Sequence, residues 1–297
     1  MLHGGKNCAI ISANTNVRRT VMICKTIGMS EEFPEATLTT YVYEYAKDMK
    51  PGPRRGVIVC PGGGYSTLSE READPIVTEF LAAGFNVFLL RYSVKENAKN
   101  YAPLKQAAHA IAHVRKNAAQ YNIMPDHIFI CGFSAGGHLA ASSGILWNCP
   151  VLKKEFDGEP EGINRPDGMI LSYPVITAGE FAHKNSIRYV SGNHDYGEAE
   201  IKEWSLDKHV DAATPPAFIW HTFEDKTVPV QNSLLLAEAL AVAGVHFELH
   251  IYPAGPHGLS LATEEAANGK PEYILPYTQG WIDCACKFIK KYPLWKD

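Results

Sequence analysis

No run of apolar residues in this chain is long enough to cross a bilayer, which excludes a helical membrane anchor within the sequence. Cationic residues are also short. Lys and Arg number 28 against 32 Asp and Glu, for a net charge of −4, so the electrostatic footprint that nucleic acid demands is missing. The start, Met1-Leu2-His3-Gly4-Gly5-Lys6-Asn7, has no charged segment leading into an apolar one, and no signal peptide is expected. Cysteines are seven, an odd number scattered over 297 residues, which reads as a reduced, cytoplasmic protein rather than a disulfide framework. Cys284 and Cys286 lie two apart in a helical pattern and point to different faces, a poor metal or redox pair. Internal repeats, low-complexity tracts and interdomain linkers are not found.

What is present is a large apolar fraction, 46 %, with 20 % charged residues, enough for a substantial core. Short β-rich runs alternate with helical patterns, the signature of a mostly parallel sheet with helices on both faces. Residues 1–36 read as irregular. Thr37–Tyr45, rich in Thr and Tyr, reads as an early antiparallel strand. Strands follow at Gly56–Cys60, Asn86–Arg91, His127–Cys131, Gly168–Ser172, Ala217–His221 and His246–Tyr252. Helices are expected at Ala73–Ala83, Pro103–Tyr121, Ala135–Trp147, Val230–Ala243 and Tyr273–Tyr292. Asn148–Pro166 reads as a loop. Pro174–Pro216, with few apolar runs and several aromatics, reads as a lid-like insertion over the C-terminal edge of the sheet within one domain, 1–297.

The segment Ile128-Phe129-Ile130-Cys131-Gly132-Phe133-Ser134-Ala135-Gly136-Gly137-His138 carries the chemistry. An apolar strand runs into Gly-x-Ser-x-Gly and then a small-residue helix, the context of a nucleophile elbow. A serine hydroxyl is a weak nucleophile at neutral pH and needs a base, a group to orient that base, and donors for the oxyanion. The search for partners therefore runs downstream, to acids and then histidines at strand ends. Asp225 follows the strand Ala217–His221 in Thr222-Phe223-Glu224-Asp225-Lys226-Thr227-Val228-Pro229, with Glu224 as its rival. An Asp at that place also suits a helix cap near Val230. His257 follows the last strand in Tyr252-Pro253-Ala254-Gly255-Pro256-His257-Gly258-Leu259, where Pro and Gly fix a loop able to carry an imidazole to the serine. His138, just inside the helix after Ser134, belongs to the wrong segment to be the base and reads as structural. His221 reads as structural or pocket-lining.

Pro61-Gly62-Gly63-Gly64-Tyr65 is the second informative feature. Glycines after a buried strand leave peptide N–H groups free to face a ligand oxygen. Gly63 and Gly64, with the N–H of Ala135, are the candidate oxyanion donors. A phosphate cradle is disfavoured because no Gly-Lys-Ser/Thr follows and the glycines open no helix. Tyr65, beside this loop, is expected to wall the acyl site.

From about Thr37 to the C-terminus the chain resembles bacterial α/β-hydrolase esterases of the acetylesterase and acetyl xylan esterase type, relatives of the hormone-sensitive-lipase-like esterases. The resemblance rests on the glycine loop with Leu68-Ser69-Glu70-Arg71-Glu72, on Leu90-Arg91-Tyr92-Ser93, on Gly132–Ala140, and on the Asp225 and His257 loops. Pro61 stands where the lipase branch usually carries a histidine. The resemblance implies an α/β-hydrolase fold and a serine carboxylesterase for short-chain, acetyl-type esters, acetylated sugars among them. It would work through Ser134, His257 and Asp225 with no metal or organic cofactor. A small-molecule ester is the expected partner, with no nucleic acid and no membrane, and self-association is left open. A peptidase or amidase on the same fold, or a non-catalytic small-molecule-binding homologue, are the alternatives; the presence of all three triad members disfavours the last.

Overall fold

A computed structural model describes residues 21–44 and 52–292. Its elements run β1 Val21–Gly28, β2 Thr37–Glu44, β3 Arg54–Cys60, α1 Asp74–Ala82, β4 Asn86–Arg91, α2 Ala102–Lys116, β5 Ile123–Phe133 and α3 Ala135–Ile145. After these come α4 Pro150–Glu155, β6 Gly168–Ser172, α5 Lys184–Ser191, α6 Glu198–Trp204, β7 Ala217–Thr222, α7 Gln231–Val242, β8 Phe247–Tyr252 and α8 Trp281–Lys291. The eight strands form one sheet in the order β1-β2-β4-β3-β5-β6-β7-β8. The pairs β1–β2 and β2–β4 are antiparallel and the remainder parallel.

The two-residue period of a strand divides the core between two faces. Val57 and Val59 of β3, Val87 and Leu89 of β4, and Phe218 and Trp220 of β7 point to one side, where Phe80 of α1 and Trp281, Phe288 and Ile289 of α8 cover them. Ile58, Phe88, Leu90 and Ile219 point to the other, against Ile111 of α2, Leu139 of α3 and Leu236 of α7. Central strands with both faces covered become continuous apolar runs, which is why β6 (GMILS) is buried at every position. Trp220 and Trp281 stack at 5.1 Å between ring centroids and join β7 to α8.

The segment 1–36, read as irregular, contains β1. It pairs with β2 along its whole length, from Val21 opposite Glu44 to Gly28 opposite Thr37. It is an edge strand whose Met22 and Ile23 stay exposed, so backbone hydrogen bonds rather than a buried face define it, and its side chains carry little pattern. Residues 1–20 and Tyr45 lie outside the described residues. The strand expected at His127–Cys131 starts earlier, at Ile123, because Arg54 pairs with Ile123 across a register shift. The helix expected over Pro103–Tyr121 ends at Lys116. The stretch read as a helix from Tyr273 is interrupted by Pro276, and α8 starts only at Trp281, after Gly280. Asn148–Pro166, read as loop, holds the six-residue α4, which opens on a proline. Residues 174–216 carry α5 and α6.

Candidate active site

Ser134 stands between β5 and α3 with φ of 52° and ψ of −116°, a conformation costly for a residue with a side chain. The surrounding contacts hold it there. Its N–H donates to Ser172 O, and its carbonyl accepts from His138 N and Val175 N. The glycines on either side permit a close backbone crossing: a Cβ on Gly132 would lie 2.1 Å from Gly136 O, and one on Gly136 would lie 2.2 Å from Cys60 O. Side chains at these positions would push the elbow off the sheet.

Two loops converge on the serine. Ser134 Oγ lies 2.8 Å from His257 Nε2, and His257 Nδ1 lies 2.6 Å from Asp225 Oδ2. Asp225 is itself anchored, because Oδ1 accepts the N–H groups of Thr227 and Val228, each at 2.9 Å. Burial would raise the Asp225 carboxyl, but hydrogen bonds from His221 and His257 outweigh it and hold the group well below the usual carboxylate range. The rival acid, Glu224, turns away to accept from Gly255 N at 3.2 Å, and thereby braces the loop that carries His257. Tyr173 sets its ring edge-on to His257 at 5.1 Å.

Gly63 and Gly64 adopt φ of 129° and 67° and line the same cavity as Ser134 and His257. Among the described residues, the N–H groups of Gly63, Gly64 and Ala135 have no protein acceptor. The cavity holds about 590 Å³, and its wall includes His183, Asn185, Arg188, Tyr189 and His194 from in and around α5. Burial, then the neighbouring His257, lowers the His183 imidazole. A larger cleft of about 800 Å³ lies between the β1–β2 turn and α2, lined by Met29, Glu32, Lys105 and His109. Among the described residues that line it there is no serine–histidine–acid relay.

Tyr65, expected to wall the acyl site, is placed elsewhere. It is 1 % exposed, and its hydroxyl lies 3.0 Å from His138 Nδ1. Here it supports α3 from within rather than lining the cavity. His138 Nε2 faces the Trp204 carbonyl at 3.4 Å, so Nε2 carries the proton and Nδ1 accepts from Tyr65. Burial pulls this imidazole down to about 4.

Three supporting side chains are not identified by sequence reasoning in these roles. His221, fully buried, donates from Nε2 to Val228 O at 2.9 Å and, more weakly, to Asp225 Oδ2 at 3.2 Å, while Nδ1 accepts from Ser233. Glu72, 3 % exposed, accepts Gly62 N–H at 2.8 Å with one oxygen and the Tyr173 hydroxyl at 2.6 Å with the other. Tyr173 in turn accepts Ser260 N–H at 2.9 Å. One buried carboxylate thus ties the glycine loop to the loop after His257. A Cβ on Gly62 would lie 2.6 Å from this carboxylate and 3.1 Å from the Ser134 Cβ, so the strut leaves room only for glycine. In the sequence Glu72 belongs to the Leu68–Glu72 segment that carries the family resemblance, but its residue type and position after the glycine loop read only as a solvated charge.

The BD-FAE family model matches residues 43–240. The chain belongs to the BD-FAE family. Among curated relatives, an endo-1,4-beta-xylanase B of Butyrivibrio fibrisolvens is 38 % identical over 235 residues, covering 77 % of this chain and 36 % of that protein. An acetylxylan esterase of Xylanibacter ruminicola is 32 % identical over 214 residues, covering 70 % of this chain and 42 % of that protein. The chain therefore spans less than half the length of these two relatives. Of solved structures, an acetyl ester-xyloside bifunctional hydrolase from Caldicellulosiruptor lactoaceticus is similar at a TM-score of 0.74 and 33 % identity, covering 90 % of this chain and 96 % of that one. A carboxylesterase from Lactobacillus plantarum is similar at 0.78 and 26 % identity, covering 92 % and 98 %. The fold of this BD-FAE member is that of an α/β-hydrolase.

Proposed function

We propose that this protein is a serine carboxylesterase for short-chain esters, with acetylated sugars as its natural class. The observation that carries the reading is the continuous relay from Ser134 Oγ through His257 to Asp225, at 2.8 and 2.6 Å, opening into a cavity. Ser134 Oγ attacks the ester carbonyl while His257 Nε2 takes its proton. Asp225 holds the resulting imidazolium through Nδ1–H. The N–H groups of Ala135 and of Gly63 or Gly64 receive the negative charge that develops on the carbonyl oxygen. Collapse expels the alcohol, protonated by His257, and leaves an acyl group on Ser134. Water, deprotonated by the same imidazole, then releases the acid and restores the serine.

The cavity wall supports the choice of substrate. Ser66, Ser69, His183, Asn185, Arg188 and His194 offer hydrogen bonds to a hydroxylated alcohol. The names of the acetylxylan esterase and acetyl ester-xyloside hydrolase relatives point the same way. Ser134→Ala is expected to abolish turnover of p-nitrophenyl acetate in a folded protein, and near-wild-type activity in that variant would sink the mechanism. In an acyl series from acetyl to octanoyl, run beside acetylated xylo-oligosaccharides and aminoacyl amides, rates should fall with chain length and the amides should be inert. A preference for octanoyl would overturn the short-chain assignment.

A further inference from the structure

A second cluster of reactive side chains lies outside the Ser134 cavity, where edge strand β8 meets the C-terminal helix. Glu248 and His250 are two apart on β8 and so share one face of the sheet. Cys284 stands in the first turn of α8. One donor atom of each, a carboxylate oxygen, an imidazole nitrogen and the thiol sulfur, lies within 4.8 Å of the other two. His250 Nε2 and Glu248 Oε1 are already 2.7 Å apart. The imidazole is held in orientation by Phe218 at 5.2 Å and by Tyr252, nearly parallel to it at 18°. All three residues are half-buried, shielded from bulk water yet reachable by an ion. Cys286 is buried within the core between α8 and the sheet, while Cys284 packs only at its margin.

We propose that Glu248, His250 and Cys284 form a zinc site that pins α8 to the edge of the sheet. The donor chemistry selects the ion. A thiolate and an imidazole disfavour magnesium and calcium, which take oxygen ligands, and suit zinc, which takes sulfur, nitrogen and carboxylate oxygen together. Neighbouring donors around tetrahedral zinc stand roughly 3.5 Å apart, so closing the present cluster requires small side-chain rotations rather than backbone movement. A thiolate and a carboxylate balance the two charges of the ion, and the thiol proton is released on binding. Water takes the fourth position. The site shares no residue with the Ser134 cavity, so its role is to hold an edge strand and a terminal helix together, independently of ester hydrolysis.

The test uses the full chain, stripped with a chelator and titrated with zinc against a chromophoric competitor. Wild type should bind about one equivalent at micromolar concentration or tighter, and Cys284→Ser and His250→Gln should each weaken binding by at least about tenfold. Glu248→Gln provides a third arm that retains side-chain volume. Zinc should raise the melting temperature of wild type and leave that of Cys284→Ser unmoved. Cobalt should give a thiolate-to-metal charge-transfer band that disappears in the same variant. Ester hydrolysis by stripped His250→Gln, with a wild-type circular dichroism spectrum, should be unchanged. Failure of wild type to bind zinc at tens of micromolar, or equal affinity in wild type and both ligand variants, would overturn the proposal.

Discussion

Replacing Glu72 by Gln tests whether one carboxylate holds the two halves of the active site in register. The substitution keeps the volume and one acceptor. The Gln carbonyl can still receive Gly62 N–H, now at 2.8 Å, but its amide then faces the Tyr173 hydroxyl, which donates to Glu72 at 2.6 Å. Tyr173 already accepts from Ser260 N–H, and turning its lone pair toward the amide leaves its own proton without an acceptor. Tyr173 is 2 % exposed, so water cannot easily replace the lost partner. Stranding one buried donor costs about 1–3 kcal/mol, and exchanging a charged acceptor for a neutral one weakens the bond to Gly62 as well, for a total near 2 kcal/mol. In a chain of this length that lowers the melting temperature by roughly 4 °C. Movement of Gly63 and Gly64 relative to Ser134 by a fraction of an ångström should reduce kcat for p-nitrophenyl acetate about ten- to a hundredfold, with KM changing far less. Tyr173→Phe removes the other end of the same strut. The two changes together should therefore cost less than their sum in both melting temperature and kcat. Wild-type kcat in Glu72→Gln, or strict additivity of the pair, would refute the strut.

Asp225→Asn leaves the loop intact but offers His257 an amide where Nδ1–H needs an acceptor, favouring the wrong imidazole tautomer; kcat should drop by about 10⁴ with little change in melting temperature, measured on acetate esters. His138 gives the fold a pH dependence. Its folded value of about 4 lies below that of an exposed imidazole, so between these two values the unfolded chain binds a proton that the folded protein does not, and stability falls as the pH drops. From about pH 7 to about pH 4.5 this group should cost the folded state about 2 kcal/mol in urea unfolding. His138→Gln, which can still donate to Trp204 O and accept from Tyr65, should lose that part of the slope; parallel curves for variant and wild type would dismiss the assignment. Asp225, held low in the folded state, should add to the acid loss in both proteins and so cancel in the comparison.

What was legible in the sequence is what local rules govern. The strands Asn86–Arg91 and Gly168–Ser172 appear with the expected bounds, because an inner strand covered on both faces is apolar through its middle and ends where the chain turns. The elbow glycines were legible for a similar reason, since the backbone crossing at Gly132 and Gly136 tolerates nothing larger. β1 carries little signal of its own because an exposed edge is specified by its partner β2 rather than by its own side chains. Proximity along the chain misplaces Tyr65: residue 65 follows the glycine loop, but with a positive φ of 56° its ring faces inward to His138.

The supporting residues fall on the far side of that boundary. Glu72, His221 and Tyr173 acquire their roles from partners 10, 4 and 87 residues away, Gly62, Asp225 and Ser260, and a composition or periodicity argument sees only a charge, a strand-end histidine and an aromatic. The elements that bear reacting atoms must satisfy strict local geometry, so they write themselves into short motifs. The groups that hold those elements at a fixed distance need only a donor or acceptor at the right point in space, which many sequences can supply. His221 illustrates the difference. At the end of β7 it looks like any buried strand residue, yet its Nε2–H is shared between the Val228 carbonyl and the Asp225 carboxylate, and so it fixes the acid on which His257 depends.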